Sequence, residues 1–411
     1  MRRKTIGTDF EVLEKCVACN QAHLALILDL GTQTLANEYL ENGTEIEIFP
    51  LSLWKCSNCS HSQLGIAVNP ERLFRNYSYV SNTSRTLSNY FDRFSDYIIQ
   101  NHGPKGKILD IGSNDGSFLE KFSGTGWNGI GVDPAINLIP EAHARGVKTL
   151  PTFFDQKTAE LLAFDFDVVI AMNVFAHTAQ PIEILLAIEK CLGENGTVYI
   201  QTSQADMFTL GQFDTVYHEH ISFFNVRSMQ ALLARTNLNL TDVSIVPIHG
   251  DSYLWKITRQ KIENLKIQRE EFENKNGFYA DDLYFNFSLN ASQCAENVAR
   301  IVSEYKKQNF KIVSYGAAAK GNTFINFANL DFDYIVDDTN HKIGKMAPAG
   351  GCFVSSPEIL KTISEPCLTI IPAWNFASEI KAKIKLYRNN QADVVLVYFP
   401  EIGLTNLTDL Y

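Results

Sequence analysis

The chain has 411 residues, enough for two or three domains, and its 45% apolar content is that of an ordinary globular protein. A net charge of −10 argues against a general nucleic-acid or membrane surface, although a local cluster of donors can still hold an anionic ligand. No apolar run reaches membrane-spanning length, and polar and acidic residues follow Met1-Arg2-Arg3-Lys4 where a signal peptide would be apolar, so the expected location is the cytoplasm.

Four of the eight cysteines form two tight pairs, Cys16/Cys19 and Cys56/Cys59. A two-residue spacer lets a tight turn aim two thiolates at one point, and two such knuckles close a tetrahedral four-sulfur shell around Zn2+. Strands are expected at 24–30 and 46–53 in the gap between them. A fully occupied shell leaves no position for water, so the metal is structural. The zinc-binding module spans residues 10–75. It is a folding staple at least, and in a sharper reading it carries a wall of the active site on the segment after it, where Tyr77 and Tyr79 lie. By themselves those tyrosines read as structural. Cys191, Cys294, Cys352 and Cys367 are scattered and read as small buried apolar side chains.

The central domain, residues 76–241, is expected to be Rossmann-like. Residues 108–111 form a short buried strand, Gly112 to Gly116 a tight turn, and Ser117 onward a helix. A ligand sits at the carboxyl end of such a strand. Asp133 lies 21 residues beyond Gly112, where a carboxylate accepts from a ribose diol. The turn is not a Gly-x-Gly-x-x-Gly pattern. Asp110 lies within the strand, and Asn114, Asp115 and Gly116 follow in the loop. Those carboxylates repel a pyrophosphate and suit a cationic sulfonium with its ammonium group, which favours S-adenosylmethionine over a nicotinamide dinucleotide. Phe153 and Phe154 follow the next strand and can stack on an adenine. The fourth strand ends in Asn173, with His177 just beyond, and a fifth spans 196–201.

Tyr217-His218-Glu219-His220 then gathers hydrogen-bonding and titratable side chains ahead of an apolar run. His220 is the candidate base, since imidazole titrates near neutral pH. Glu219 can orient a substrate or hold a histidine tautomer, and Tyr217 can donate to a developing oxyanion. Two other readings stay open: a metal site, although the spacing is not His-Glu-x-x-His, and satisfied core residues.

Residues 242–411 read as a degenerate Rossmann-like α/β domain. One or two long helices are expected over 263–308, then strands at 311–316, 334–336, 367–372 and 394–399. The turn from Gly316 through Lys320 to Asn322 carries no acidic residue. It reads either as a pyrophosphate cradle or as a helix cap with a solvated lysine.

On these residues the chain resembles the nucleotide-sugar C-methyltransferases, in particular the 3-C-methyltransferases of dTDP-linked 4-keto-deoxysugars. The likeness runs nearly the whole length in three blocks. The first is the cysteine pairs around Gly31-Thr-Gln-Thr-Leu-Ala-Asn37. The second is the cofactor turn, Asn173 to His177 and Tyr217 to Phe224. The third is Tyr315 to Asn322, Val336-Asp337-Asp338, His341-Lys342 and Ala373 to Phe376. The chain departs from the family pattern at Thr34, at Asp251 after His249-Gly250, and at Pro348-Ala-Gly-Gly351. The resemblance implies a class I methyltransferase domain using S-adenosylmethionine, and a histidine that removes the proton beside a sugar ketone so that an enolate takes the methyl group. By motif match His220 is that base. Glu219, Tyr217 and Tyr79 contact the sugar, Asn173 and His177 lie near it, and Tyr77, His249, Gly316, Lys320 and Asn322 hold the nucleotide sugar. The expected partner is a small molecule, a nucleotide-linked ketosugar carrying dTDP, with no nucleic acid and no membrane, and the expected state is a monomer or small homo-oligomer. The competing functions are O- or N-methylation of a small metabolite and a zinc-containing nucleotide- or RNA-binding module.

Overall fold

The computed structural model describes residues 4–81, 85–162, 165–203, 205–248 and 250–409. The N-terminal part is built from β1 (Lys4–Ile6), β2 (Phe10–Val12), β3 (Leu24–Gln33), β4 (Ile46–Cys56), β5 (Ser62–Leu64) and β6 (Ile66–Val68). The eleven-residue β4 is its spine, pairing with β3, β1 and β5. Both strands expected between the cysteine pairs are present, and β4 ends on Cys56 itself.

The central part contains β7 (Lys105–Ile111), β8 (Gly126–Val132), β9 (Lys148–Leu150), β10 (Phe166–Met172), β11 (Leu192–Ser203), β12 (Ser222–Phe223), β13 (Asn239–Val246) and β14 (Ser252–Thr258). Seven of these form one sheet in the order β13-β14-β11-β10-β7-β8-β9, parallel throughout except for the antiparallel β14. Its middle strands are apolar on both faces, as a sheet covered by helices on both sides requires. Ile108, Val168 and Ile170 point to one face, against Leu87, Phe91, Phe94 and Ile98 of the helix Arg85–His102. Leu109, Val169 and Ala171 point to the other, against Leu185 and Ile188 of the helix Pro181–Cys191. This is the period-two alternation of a strand.

The C-terminal part repeats the plan with β15 (Lys311–Tyr315), β16 (Tyr334–Val336), β17 (Val354–Ser355), β18 (Cys367–Ile370), β19 (Val394–Val397) and β20 (Gly403–Asn406), in the order β17-β16-β15-β18-β19-β20. In each sheet the strand order reverses beside the first strand, β7 or β15. Open α/β sheets bind ligands at the carboxyl ends of strands at such a reversal.

Two local expectations change. The helix expected from Ser117 is a single 3-10 turn, Leu119–Phe122, because Ser123 and Gly124, with Gly124 at φ +74°, stop it within a turn. Its Phe118 and Phe122 instead fill an aromatic layer with Phe91 and Trp127. The charged stretch 263–308, expected to form one or two helices, forms two, Gln268–Lys275 and Asp281–Lys307, parted at Gly277, φ +76°. The central sheet also runs past residue 241: β13 and β14 pair antiparallel and complete it. Conversely, β12 leaves the central part and pairs with β5 of the cysteine module. Among the described residues, no helix is long and apolar enough to cross a membrane.

Candidate active site and metal centre

The four sulfur atoms of Cys16, Cys19, Cys56 and Cys59 lie within 4.8 Å of one another, with 3.6 Å between Cys16 and Cys59 and 3.5 Å between Cys19 and Cys56. None is in a disulfide. A zinc tetrahedron with 2.3 Å bonds places its sulfurs about 3.8 Å apart, so the cluster fits that ion. The two knuckles are alike. Asn20 (φ +62°) and Ser60 (φ +58°) turn the chain, and their amides donate to the Cys16 and Cys56 carbonyls at 2.8 and 2.9 Å. Gln63 braces the first knuckle, accepting from the Val17 amide at 2.8 Å.

At the carboxyl end of β7, Gly112 has φ +72°, and a Cβ there would lie 2.1 Å from Val174 Cγ2, so the turn presses against the end of β10. Asp133 accepts from the amides of Asn114 and Ala135, both at 2.7 Å. Burial raises its carboxyl above the usual range, against the pull of those two bonds. Burial, and then the Asp133 charge, pushes Asp110 well above its ordinary value. A cation bound beside this pair would be favoured. Asp115 is turned inward, 3.3 Å from Arg145 Nη2. Phe153 is half-buried beneath the Arg75 guanidinium, whereas Phe154 packs in the core. Ser113 Oγ, Thr149 Oγ1 and Asn173 Oδ1, around the carboxyl ends of β7, β9 and β10, are buried without a hydrogen-bond partner among the described residues. Buried polar atoms are normally paired, so these orphans suit the polar edge of an adenosyl or methionyl group.

The segment after the cysteine module crosses this face. Asn114 donates to the Tyr79 carbonyl at 3.1 Å and accepts from the Ser81 amide at 3.0 Å, while Asn137 exchanges two bonds with the Tyr77 backbone. Tyr77 and Tyr79 thereby reach the cluster from 217–220, their ring centroids 6.4 Å apart.

In that cluster the Thr215 carbonyl lies 2.8 Å from His220 Nδ1 and the Tyr217 hydroxyl 3.0 Å from Nε2. His177 stands edge-on to His220 with centroids 5.1 Å apart. Glu219 is buried, accepting from Asn37 Nδ2 at 2.6 Å and the Tyr77 hydroxyl at 3.2 Å. Burial raises its carboxyl, and the two donors oppose the rise. Burial, and then the charges of Glu219 and Asp214, keep Tyr217 well above its ordinary value, so it remains a phenol. His218 points elsewhere, to the Pro50 carbonyl at 3.1 Å.

At the second reversal, Gly316 has φ +108°, and Asp337, 21 residues on, accepts from the amides of Ala317 and Thr339 at 2.8 Å each, as Asp133 does in the first sheet. Here burial is outweighed by Lys342 and these bonds, leaving the Asp337 carboxyl below its usual value. The Tyr39 hydroxyl donates to the Ala317 carbonyl. Asn322 is buried and committed to the Ala36 carbonyl at 2.8 Å. Lys320 lies half-buried with its ammonium 5.1 Å from the centre of the Trp374 ring, and burial lowers its pKa against the attraction of Asp214. His249 lies outside the described residues.

The structure thus brings His220, Glu219, Tyr217, Tyr77, Tyr79 and His177 together, with Asn173 on the same side of the sheet. From the C-terminal part, Lys320 lies over the Trp374 ring and within the attraction of Asp214. Sequence reasoning assigned no role to Asn37, although it stands in the Leu35-Ala36-Asn37 motif. Nor did it assign one to the Thr215 carbonyl, a backbone group with no residue signature.

Three family models match the chain: a "Putative zinc binding domain" over residues 16–74, a methyltransferase domain over 79–243, and a C-methyltransferase C-terminal domain over 247–400. The C-methyltransferase NovU of Streptomyces niveus is 25% identical over 394 residues, covering 92% of this chain and 94% of that protein. The ubiquinone biosynthesis O-methyltransferase of Roseobacter denitrificans is 28% identical over 167 residues, 37% of this chain and 67% of that protein. The magnesium protoporphyrin IX methyltransferase of Synechocystis PCC 6803, solved with bound S-adenosylmethionine, superposes with a TM-score of 0.33 at 11% identity, covering 42% of this chain and 79% of that one.

Proposed function

This chain is an S-adenosylmethionine-dependent C-methyltransferase that joins a zinc-binding module, a methyltransferase domain and a C-methyltransferase C-terminal domain, and from that premise we propose that it methylates C3 of a nucleotide-linked 4-keto-deoxysugar with His220 as the base. The observation that carries the reading is the pose of His220. Its Nδ1 faces a backbone carbonyl, which only accepts, so that nitrogen holds the ring proton and Nε2 is the acceptor, to which the Tyr217 hydroxyl donates at 3.0 Å. A sugar C–H is far too weak an acid for imidazole unless a neighbouring ketone takes up the charge. Once Nε2 has taken the sugar's proton it no longer accepts from Tyr217, whose hydroxyl, kept protonated by its surroundings, can then turn to donate to the enolate oxygen, with His177 beside it. When bound, S-adenosylmethionine supplies an electrophilic methyl group. Asp110, Asp133 and the turn at Gly112 hold the cofactor, while Tyr77 and Tyr79 cover it from the N-terminal side. Glu219, fixed by Asn37 and Tyr77, orients the sugar, and Lys320 with the turn at Gly316 receives the diphosphate.

Replacing His220 by Asn is expected to abolish turnover of a dTDP-4-keto-6-deoxysugar while calorimetry still shows cofactor binding. Solvent deuterium should enter the sugar at the reacting carbon in the wild type alone, and NMR of the product should place the methyl group on carbon. Full turnover in both His220→Asn and His220→Ala would remove the imidazole as base, and a methyl group on oxygen or nitrogen would remove the enolate.

A further inference from the structure

Asp214 lies in the 3-10 turn Phe213–Thr215, one residue before the carbonyl that holds His220, and is 1% exposed. Its partners come from the other domain. Oδ2 accepts from Trp374 Nε1 at 2.6 Å and from the Tyr398 hydroxyl at 2.7 Å. Oδ1 is buried and has no hydrogen-bond partner among the described residues. Trp374 sits in the turn after β18, and Tyr398 directly follows β19. The ring of Trp374 lies under the ammonium of Lys320, in the helix Ala319–Phe327 that follows β15. The grip on Asp214 is therefore made by the carboxyl ends of β15, β18 and β19, at the C-terminal reversal point and beside the lysine expected to meet the substrate's diphosphate.

A buried carboxyl with one unpaired oxygen is costly, and burial raises its pKa, so its place between the two domains points to a role beyond filling space. Within the same turn the Thr215 amide is bonded to the Gln212 carbonyl and the Val216 amide to that of Phe213. These bonds tie the turn together, so a shift of the Asp214 side chain would be passed to the Thr215 carbonyl. We propose that Asp214 is a positioning residue, through which the nucleotide-binding end of the C-terminal sheet sets the Thr215 carbonyl and, by it, the tautomer and aim of His220. The role of His220 as base is taken from the function proposed above; the link from Asp214 to the imidazole is not.

The test uses the full-length, zinc-loaded protein with 15N-labelled histidine, the His220 signals being identified by their loss in His220→Gln. The wild type should show the Nδ1-protonated neutral ring. In Asp214→Ala, and in the double variant Trp374→Phe/Tyr398→Phe should the first fail to fold, His220 should become a mixture of tautomers. In those variants kcat should fall about 10- to 100-fold, the size expected for a misplacement of about 1 Å, with the cofactor Kd and the sugar KM within about twofold of wild type. Asp214→Asn keeps an oxygen for the same two donors and should restore the wild-type ring signature. An unchanged tautomer in both Asp214→Ala and the double variant would overturn the proposal, as would a loss confined to KM. Should the wild type fail to methylate the ketosugar, the substrate reading falls, while the tautomer comparison still decides the part played by Asp214.

Discussion

Glu219 shows how one side chain acquires its role from its neighbours. Burial alone would leave its carboxyl protonated over a wider pH range, but both of its oxygens face donors, the Asn37 amide at 2.6 Å and the Tyr77 phenol at 3.2 Å. Two donors suit an ionised acceptor, so these bonds oppose the rise and favour the carboxylate, whose remaining lone pairs would be left for the hydroxyls of the proposed sugar. A hydrogen bond to a charged group is worth about 1.5–3 kcal/mol. Asn37→Ala should therefore lower kcat/KM for the sugar by roughly 10- to 100-fold, while calorimetry shows the cofactor bound as before. An unchanged kcat/KM would show that Asn37 does not hold Glu219 in solution. The motif containing Asn37 was visible in the sequence, but its target, 182 residues away, was not, because nothing local to either residue encodes the pairing.

At the scale of elements, the base-bearing loop is pinned to the cysteine module twice. β12 pairs with β5 directly after the loop, and His218 within it inserts against β4, its ring 5.9 Å from Phe49 and its Nε2 3.1 Å from the Pro50 carbonyl. Burial lowers the His218 pKa from 6.5 to about 4. The neutral ring is the folded form, so its contribution is complete above pH 6.5, shrinks as the unfolded ring takes up a proton, and is lost as pH falls through about 4. Such a shift is worth about 3 kcal/mol. In urea denaturation the wild type should lose about that much more stability between pH 7 and 4 than His218→Gln does. Parallel curves for the two proteins would show that His218 is not buried neutral. The sequence reading took His220 rather than His218 as the candidate base, but no local signal showed where His218 would go. That depended on β12 being drawn out to the other sheet.

The whole molecule is a chain of clamps. The second cysteine knuckle leads into β5, β5 pairs with β12, and β12 anchors the loop of His220. The same module sends Tyr39 to the Ala317 carbonyl and Asn37 to Glu219. Structural zinc contributes folding free energy directly. Removing it with a chelator should lower the melting temperature and reduce kcat in proportion to the zinc lost. The cofactor Kd should change less, because Asp110 and Asp133 stand on the seven-stranded sheet. Full activity in metal-free protein, verified by elemental analysis, would separate the module from the site. The cysteine shell, the two α/β sheets, and the glycine and carboxylate spacing at the first reversal point were legible in the residues alone, because those signals are short-range: a two-residue spacer, a buried apolar strand, a turn that needs positive φ. What surrounds residues 213–220 could be read only from the tertiary structure. A backbone carbonyl at 215, a carboxylate at 214 gripped from residues 374 and 398, and an amide at 37 are brought together by contacts across the fold, and the energy of such contacts is carried by no local pattern of residues.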